Sequence, residues 1–160
     1  MPNLIIRFIN SPGIISTLID WETDSLFCHT EALSRDGQHW IGAHAGTGVQ
    51  ARPLDWTTTT RDYRYALEVT EEQYEAAMAF LESKIGTPYD YLDIVGLLFK
   101  FRVHDPKQLI CSAFMMEFLA AAGIQPLNCL PDFDYLITPE TLHLSPIFIG
   151  KRFLPLPEVA

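Results

Sequence analysis

The sequence predicts an α+β fold in which one antiparallel sheet packs against helices. Strand-like segments lie near both ends of the chain, and segments with apolar residues at helical spacing lie between them. An Asp-Gly pair also predicts a hairpin that joins two of the strands. The chain has 160 residues with no repeat or linker, so we expect a single domain over residues 1–160.

Most of the predicted strands lie in the first half of the chain. A short helix interrupts them, because Pro12 favours a helix start and apolar residues recur at helical spacing up to about Trp21. In the sequence RDGQ, Asp36 and Gly37 favour a two-residue turn. The predicted strands of this half are residues 3–10, 26–34, 38–45 and 63–69.

The predicted helices follow. Thr70 and Gln73 resemble a capping box that starts the first of them, and Gly86 ends it. Its predicted buried stripe is Tyr74, Ala77, Met78, Leu81 and Ile85. Gly123 closes a later helix. The remaining predicted elements are helices at about 90–101 and 109–122, a helical turn in TPETLHL at 138–144, and a last strand in PIFIGKRFL at 146–154.

The charge and the cysteine content limit the partners and the compartment. A net charge of −9 with only 11 scattered Lys and Arg residues argues against nucleic acid or an anionic membrane surface as partner. Three cysteines without paired spacing suit a reducing compartment. The apolar segment YLDIVGLLFKF is far shorter than the ~20 residues of a membrane crossing, and the N-terminus lacks a basic leader. We therefore expect a cytoplasmic protein without an integral membrane segment.

The predicted hairpin collects titratable side chains on one face. If Asp36 and Gly37 form the turn, His29 lies opposite His44 and Glu31 lies opposite Gly42. Residues two apart on a strand share a face, so the two imidazoles and the carboxylate come together. Such a cluster can hold one imidazole in the orientation that a general base needs. The alternative is an ordinary solvated face of a hairpin.

The segment LICSAFMMEFLAAAGI, residues 109–124, offers a nucleophile. Cys111 lies in the first turn of the predicted helix, where unpaired N–H groups and the helix dipole favour a thiolate. In the alternative, Cys111 is one more apolar residue of a buried stripe with Met115, Phe118 and Ala122. His29 as base and Cys111 as nucleophile, with a third residue orienting the base, would make the usual arrangement.

Three segments in this order resemble a known family. They are FCHTEALSRDGQHWIGAHAGTGVQARP, GTPYDYLDIVGLLF and LICSAFMMEFLAAAGI. The chain resembles the permuted branch of the NlpC-type papain-fold hydrolases, the YiiX/YaeF-like group, which is related to lecithin retinol acyltransferase. Ordinary papain-like enzymes place Cys before His, whereas this chain has His first. The resemblance covers roughly residues 3–124 and implies a circularly permuted papain-like fold.

The resemblance implies roles for individual residues. Cys111 would be the nucleophile and His29 the base, and Tyr89 of GTPYDY resembles a tyrosine that lines the site. The third catalytic residue is Glu31 or His44, and we favour Glu31 because a carboxylate stabilises an imidazolium better. The residues expected to bind or orient substrate are His44, Tyr89 and Ser112.

The predicted function is a cysteine-dependent amidase or peptidase that acts on a small amide or peptide through an acyl-enzyme. The alternatives are a lipid acyltransferase or thioesterase of the same fold, and a binding protein without turnover. The last alternative is motivated by Ala113, which stands where the family often has an acid. We expect no cofactor. A metal site built from Cys28, His29 and Cys111 lacks supporting ligand spacing, so no metal is expected either.

Overall fold

The strands of the computed structural model form one antiparallel sheet. The structure describes residues 1–11, 26–88, 111–128 and 137–153. Six strands of these residues pair in the order β4-β3-β2-β1-β5-β6. Their bounds are β1 Asn3–Asn10, β2 His29–Leu33, β3 His39–His44, β4 Gly48–Pro53, β5 Arg61–Glu68 and β6 Arg152–Phe153. The predicted α+β class with an antiparallel sheet packed against helices is confirmed.

The described helices pack against this sheet. They are α1 Glu71–Ser83, α2 Cys111–Ala121 and α3 Pro139–His143, followed by a 3₁₀ helix at Pro146–Phe148. Helix α2 lies against β2, β3 and α1. The predicted helices that begin at Pro12 and at residue 90 lie outside the described residues. Among the residues that the structure does describe, no helix combines the length and apolar character that a membrane crossing requires.

β1 is apolar along most of its length because it lies inside the sheet with both faces covered. One face joins the main core, which contains Leu4, Ile6 and Phe8 of β1 together with Phe114, Met115 and Phe118 of α2. On the opposite face Ile5 packs with Leu33 and Trp40 in a smaller cluster. Arg7 interrupts this second face, yet its side chain is buried.

Helix α1 begins at the predicted capping box. The Thr70 hydroxyl accepts a hydrogen bond from the Gln73 backbone N–H at 3.2 Å, and the Gln73 side chain accepts one from the Thr70 N–H at 3.0 Å. Ala77, Met78 and Leu81 are buried as predicted. The prediction for Ile85 is wrong: the helix ends at Ser83, and Ile85 is 48 % exposed. Tyr74 is half-buried against the core.

β4 was not predicted from the sequence. Its N–H and C=O groups pair with β3 on one side, while Val49 on the other side exchanges hydrogen bonds with Thr87 and Gly86 at 2.8 and 2.9 Å. Gly48 makes this contact possible, because a Cβ atom there would lie 2.1 Å from the Thr87 carbonyl oxygen. Gly48 and Pro53, at the two ends of the strand, obscured its alternating pattern, since both residue types are poor strand formers.

The C-terminal part of the chain corrects another prediction. The turn in TPETLHL is confirmed as α3, with the Thr138 hydroxyl accepting from the Thr141 N–H. The strand predicted at 146–154 is mostly wrong. Ser145 caps the 3₁₀ helix that starts at Pro146, and Gly150, with a φ of 70°, turns the chain before the two residues of β6. Proline favours a helix start, and it has no N–H to donate to a neighbouring strand.

Candidate functional site

The hairpin register is the one predicted, although its turn is not. Ala32 pairs with Ile41 and Leu33 pairs with Trp40, and the same register carried on puts His29 opposite His44. The last ladder hydrogen bond runs from the Ser34 N–H to the His39 carbonyl. Arg35 and Gln38 therefore belong to a four-residue loop and do not pair. The Asp36 carboxylate forms this loop by accepting from the Ser34 hydroxyl and the Gln38 N–H.

His29, Glu31 and His44 come together as predicted. Glu31 Oε1 lies 3.3 Å from His29 Nε2 and 3.2 Å from His44 Nε2, and the two imidazole rings are 4.7 Å apart. None of these three atoms makes a well-oriented hydrogen bond to another described residue. Glu31 is fully buried, while His44 is 5 % and His29 12 % exposed. We call these residues the His-Glu-His cluster. The alternative interpretation of the sequence, an ordinary solvated face of the hairpin, is therefore wrong.

The other oxygen of Glu31 binds a residue that the sequence analysis missed. Arg7 lies opposite Glu31 in the β1–β2 ladder, and its Nε donates to Glu31 Oε2 at 2.6 Å. Trp56 Nε1 contacts the same oxygen at 3.4 Å, and the Arg7 guanidinium stacks on Trp40 at 4.3 Å. Oε2 of Glu31 thus contacts the Arg7 guanidinium, and Oε1 faces the imidazoles of His29 and His44. A charged residue inside the apolar segment NLIIRFIN was the available signal.

The Cys111 thiol contacts the imidazole of His29. Cys111 is the first described residue of α2 and His29 is the first residue of β2, and the thiol lies within hydrogen-bonding reach of the ring. Cys111 is buried, as are Met115, Phe118 and Ala122, so the apolar stripe predicted as an alternative is present in full. Burial and the contact with His29 occur together at Cys111. Cys28 points elsewhere, because its Sγ contacts the Ile9 carbonyl at 3.6 Å.

The charges of the cluster are set by burial and by close neighbours. Burial alone would lower the pKa of His29, but contacts with the Cys111 thiol and the Glu31 carboxylate outweigh it and raise that pKa to about 9. Burial alone would raise the pKa of Glu31, but His29 and Arg7 lower it to about 2. Burial and the charge of His29 lower the pKa of His44 to about 3. At neutral pH the cluster therefore holds an imidazolium, a carboxylate and a neutral imidazole.

Gly42 forms the wall of the cluster on β3. A Cβ atom at this position would lie 2.8 Å from Glu31 Cγ and 3.3 Å from His29 Nε2. We expect Gly42→Ala to displace both side chains and to lower the free energy of unfolding by about 1–3 kcal/mol, as overpacking does. Urea denaturation measures the loss, and the imidazole NMR signals of His29 and His44 report the displacement.

Gly150→Ala is the control for that substitution. Gly150 has a φ of 70° and nothing within 4 Å of the added Cβ, so its replacement strains only the backbone. The imidazole signals of His29 and His44 should then stay in place. Unchanged signals in Gly42→Ala as well would contradict the described packing of the cluster.

Three further predicted site residues are Tyr89, Ser112 and His44. Tyr89 lies outside the described residues. Ser112 is buried at the second position of α2, and its part in binding substrate stays a prediction. His44 contacts Glu31 and reaches His29 only through its ring, so Glu31 has the closer polar contact with the predicted base.

Comparisons with known proteins support the fold. No protein family model matches the sequence, and the search of curated proteins found no match. Among solved structures, the chain is similar to one described as the metalloprotein yiiX from Escherichia coli O157:H7, DUF1105. The TM-score is 0.65 at 16 % identity, over 91 % of this chain and 93 % of that one. The chain therefore has a YiiX-like fold.

Proposed function

We propose that this chain is a cysteine-dependent hydrolase of the amidase or peptidase type, with Cys111 as nucleophile, His29 as base and Glu31 as the residue that orients the base. The observation that carries the proposal is the position of the His29 imidazole, which contacts the Cys111 thiol and the Glu31 carboxylate together. A nucleophile, a base and an orienting group in contact are the arrangement on which acyl transfer depends. The resemblance to NlpC-type hydrolases supports the same roles.

Two groups hold the Glu31 carboxylate beside His29. Arg7 and His29 both contact it, and Arg7 also lies 3.8 Å from the Asp62 carboxylate. The buried carboxylate therefore keeps a fixed position from which it orients the imidazole toward Cys111.

The reaction follows from these contacts. Glu31 faces His29 Nε2, which leaves Nδ1 for the thiol, so Nδ1 holds the proton that Cys111 gives up. The sulfur attacks the carbonyl carbon of a small amide or peptide. The C–N bond then breaks, and the amine leaves with the proton from Nδ1. His29 then takes a proton from water, and the hydroxide attacks the thioester carbonyl. The C–S bond breaks, the carboxylic acid leaves, and the proton on His29 returns to the sulfur. The N–H of Cys111 at the start of α2 supplies a donor for the oxyanion.

Alkylation of the thiols tests this proposal without knowledge of the substrate. Cys111 and Cys28 are 5 % and 7 % exposed, so exposure alone predicts similar rates with a small reagent such as iodoacetamide. We expect Cys111 to react faster, because the His29 imidazole contacts its thiol and can take the proton as the sulfur attacks. His29→Ala should slow the reaction of Cys111 by about 100-fold and leave that of Cys28 unchanged.

Peptide mapping after timed quenching gives the rate for each cysteine, and Cys129 is followed in the same digest. His39→Ala is the control, because His39 is a half-exposed histidine of β3 that pairs with Asp36, away from the cluster. Equal rates at all three cysteines would refute the assignment of Cys111. The cytoplasmic location and the preference for a small amide or peptide remain predictions from the sequence.

A further inference from the structure

The His-Glu-His cluster has a second property that acid–base catalysis does not use. Its three polar atoms, His29 Nε2, Glu31 Oε1 and His44 Nε2, all lie within 4.8 Å of one another. All three are buried, and the contacts between Glu31 Oε1 and the two nitrogens lack hydrogen-bond geometry. Buried polar atoms normally have partners, because leaving them without one costs about 1–3 kcal/mol each. Three such atoms converging on one point call for a common partner.

Two of the three distances between these atoms suit a small cation, and the third, between the two imidazole nitrogens, is within 4.8 Å. Tetrahedral ligands at the usual zinc bond lengths of about 2.0–2.1 Å lie about 3.4 Å apart. Glu31 Oε1 is 3.3 Å from His29 Nε2 and 3.2 Å from His44 Nε2. The Arg7 guanidinium does not compete for the position, because its contacts with Glu31 are made to Oε2.

The donor types select the class of ion. Two imidazole nitrogens and one carboxylate oxygen suit zinc and other divalent transition metals, whereas Ca²⁺ and Mg²⁺ prefer oxygen ligands throughout. Two outer contacts are also in place, since Arg7 and Trp56 hold the second oxygen of the carboxylate. The set differs from the one considered from the sequence, because Cys28 faces the Ile9 carbonyl.

We propose that His29, Glu31 and His44 form a binding site for one divalent transition-metal ion, with Zn²⁺ as the reference ion. The ion would supply a positive charge and a Lewis acid at the inner face of the hairpin. It would also occupy the nitrogen of His29 that faces Glu31. The metal and the proposed hydrolase would therefore use the same imidazole, and this last consequence rests on the proposed function.

Calorimetric titration of the full chain tests the site directly. After removal of metals with a chelator, Zn²⁺ should bind with a stoichiometry of one per chain, and Mg²⁺ should give no comparable signal. His44→Gln and Glu31→Gln should each weaken Zn²⁺ binding by at least about 10-fold, because each substitution removes one ligand. His39→Gln, which changes a half-exposed histidine of the same strand, should bind like the unchanged chain.

Thermal unfolding gives a second readout that does not depend on activity. Bound Zn²⁺ should raise the Tm of the unchanged chain by mass action, and this increase should disappear in His44→Gln. His44→Gln keeps the test valid if Glu31→Gln does not fold. Binding that survives both substitutions, or that is lost in His39→Gln, would overturn the proposal, as would equal binding of Mg²⁺.

Cys111→Ser separates this proposal from the proposed hydrolase. The substitution removes the nucleophile but none of the three ligands, so Zn²⁺ should still bind with a stoichiometry of one. Loss of Zn²⁺ binding in Cys111→Ser would overturn the ligand set. A chain that binds Zn²⁺ but alkylates its cysteines at equal rates would retain the metal site and refute the hydrolase.

Discussion

Replacement of Glu31 by alanine is expected to lower the free energy of unfolding by about 3–5 kcal/mol, because it leaves a buried guanidinium without its partner. Arg7 is 2 % exposed and Glu31 is fully buried. The carboxylate accepts from Arg7 Nε at 2.6 Å and also contacts His29. Once Glu31 is removed, Arg7 keeps only a distant contact with Asp62, at 3.8 Å, among the described ion pairs.

An exposed ion pair of equal length provides the control. Arg35 Nη1 lies 2.6 Å from Glu75 Oε1, but both side chains are largely in solvent. Solvent weakens such a pair, so Arg35→Ala should cost far less than Glu31→Ala. Urea denaturation of both variants gives the comparison. Similar losses in the two variants would contradict the view that burial determines the strength of the Arg7–Glu31 pair.

The double variant Arg7→Met, Glu31→Leu tests whether the loss of stability comes from the unpaired charge of Arg7. Removing both charges leaves no buried ion without a partner, so this variant should be more stable than Glu31→Ala alone. If the double variant were as unstable as Glu31→Ala, lost packing and not the unpaired Arg7 would explain the lower free energy of unfolding. Circular dichroism shows whether each variant retains its secondary structure.

Replacement of Cys111 by alanine is expected to abolish the proposed hydrolysis, with a fall in kcat/KM of at least about 1,000-fold. The expectation follows from the contact between the Cys111 thiol and the His29 imidazole. A panel of small amides, peptides, esters and thioesters supplies the substrates. Cys28→Ala is the control, because Cys28 is equally buried but faces the Ile9 carbonyl.

The mass of the intact chain identifies the chemistry of the intermediate. His29→Gln removes the proposed base, so any acyl group transferred to Cys111 should persist. A peptide-derived adduct on Cys111 would support the amidase. A long-chain acyl adduct without a peptide-derived one would favour the acyltransferase instead. Turnover that survives in Cys111→Ala would contradict the proposed nucleophile.

Several features of the fold were predictable because they depend on residues close together in the sequence. The capping box of α1 joins Thr70 to Gln73, three positions away. Gly123, with a φ of 69°, follows α2 as predicted. The hairpin register was also correct, since the turn brings residues on either side of Asp36 and Gly37 together. The predicted two-residue turn was wrong, because the Asp36 carboxylate accepts a hydrogen bond from the Gln38 N–H and the loop has four residues.

The sequence by itself determined the antiparallel α+β class and the convergence of His29, Glu31 and His44, because alternation and a short hairpin set both locally. Only the tertiary structure decided that Arg7 binds Glu31, since that pair requires β1 to lie beside β2, 24 positions away in the chain. It also decided that the Cys111 thiol reaches His29. Such contacts depend on strand order and helix packing, which many distant residues determine together and which no local pattern encodes.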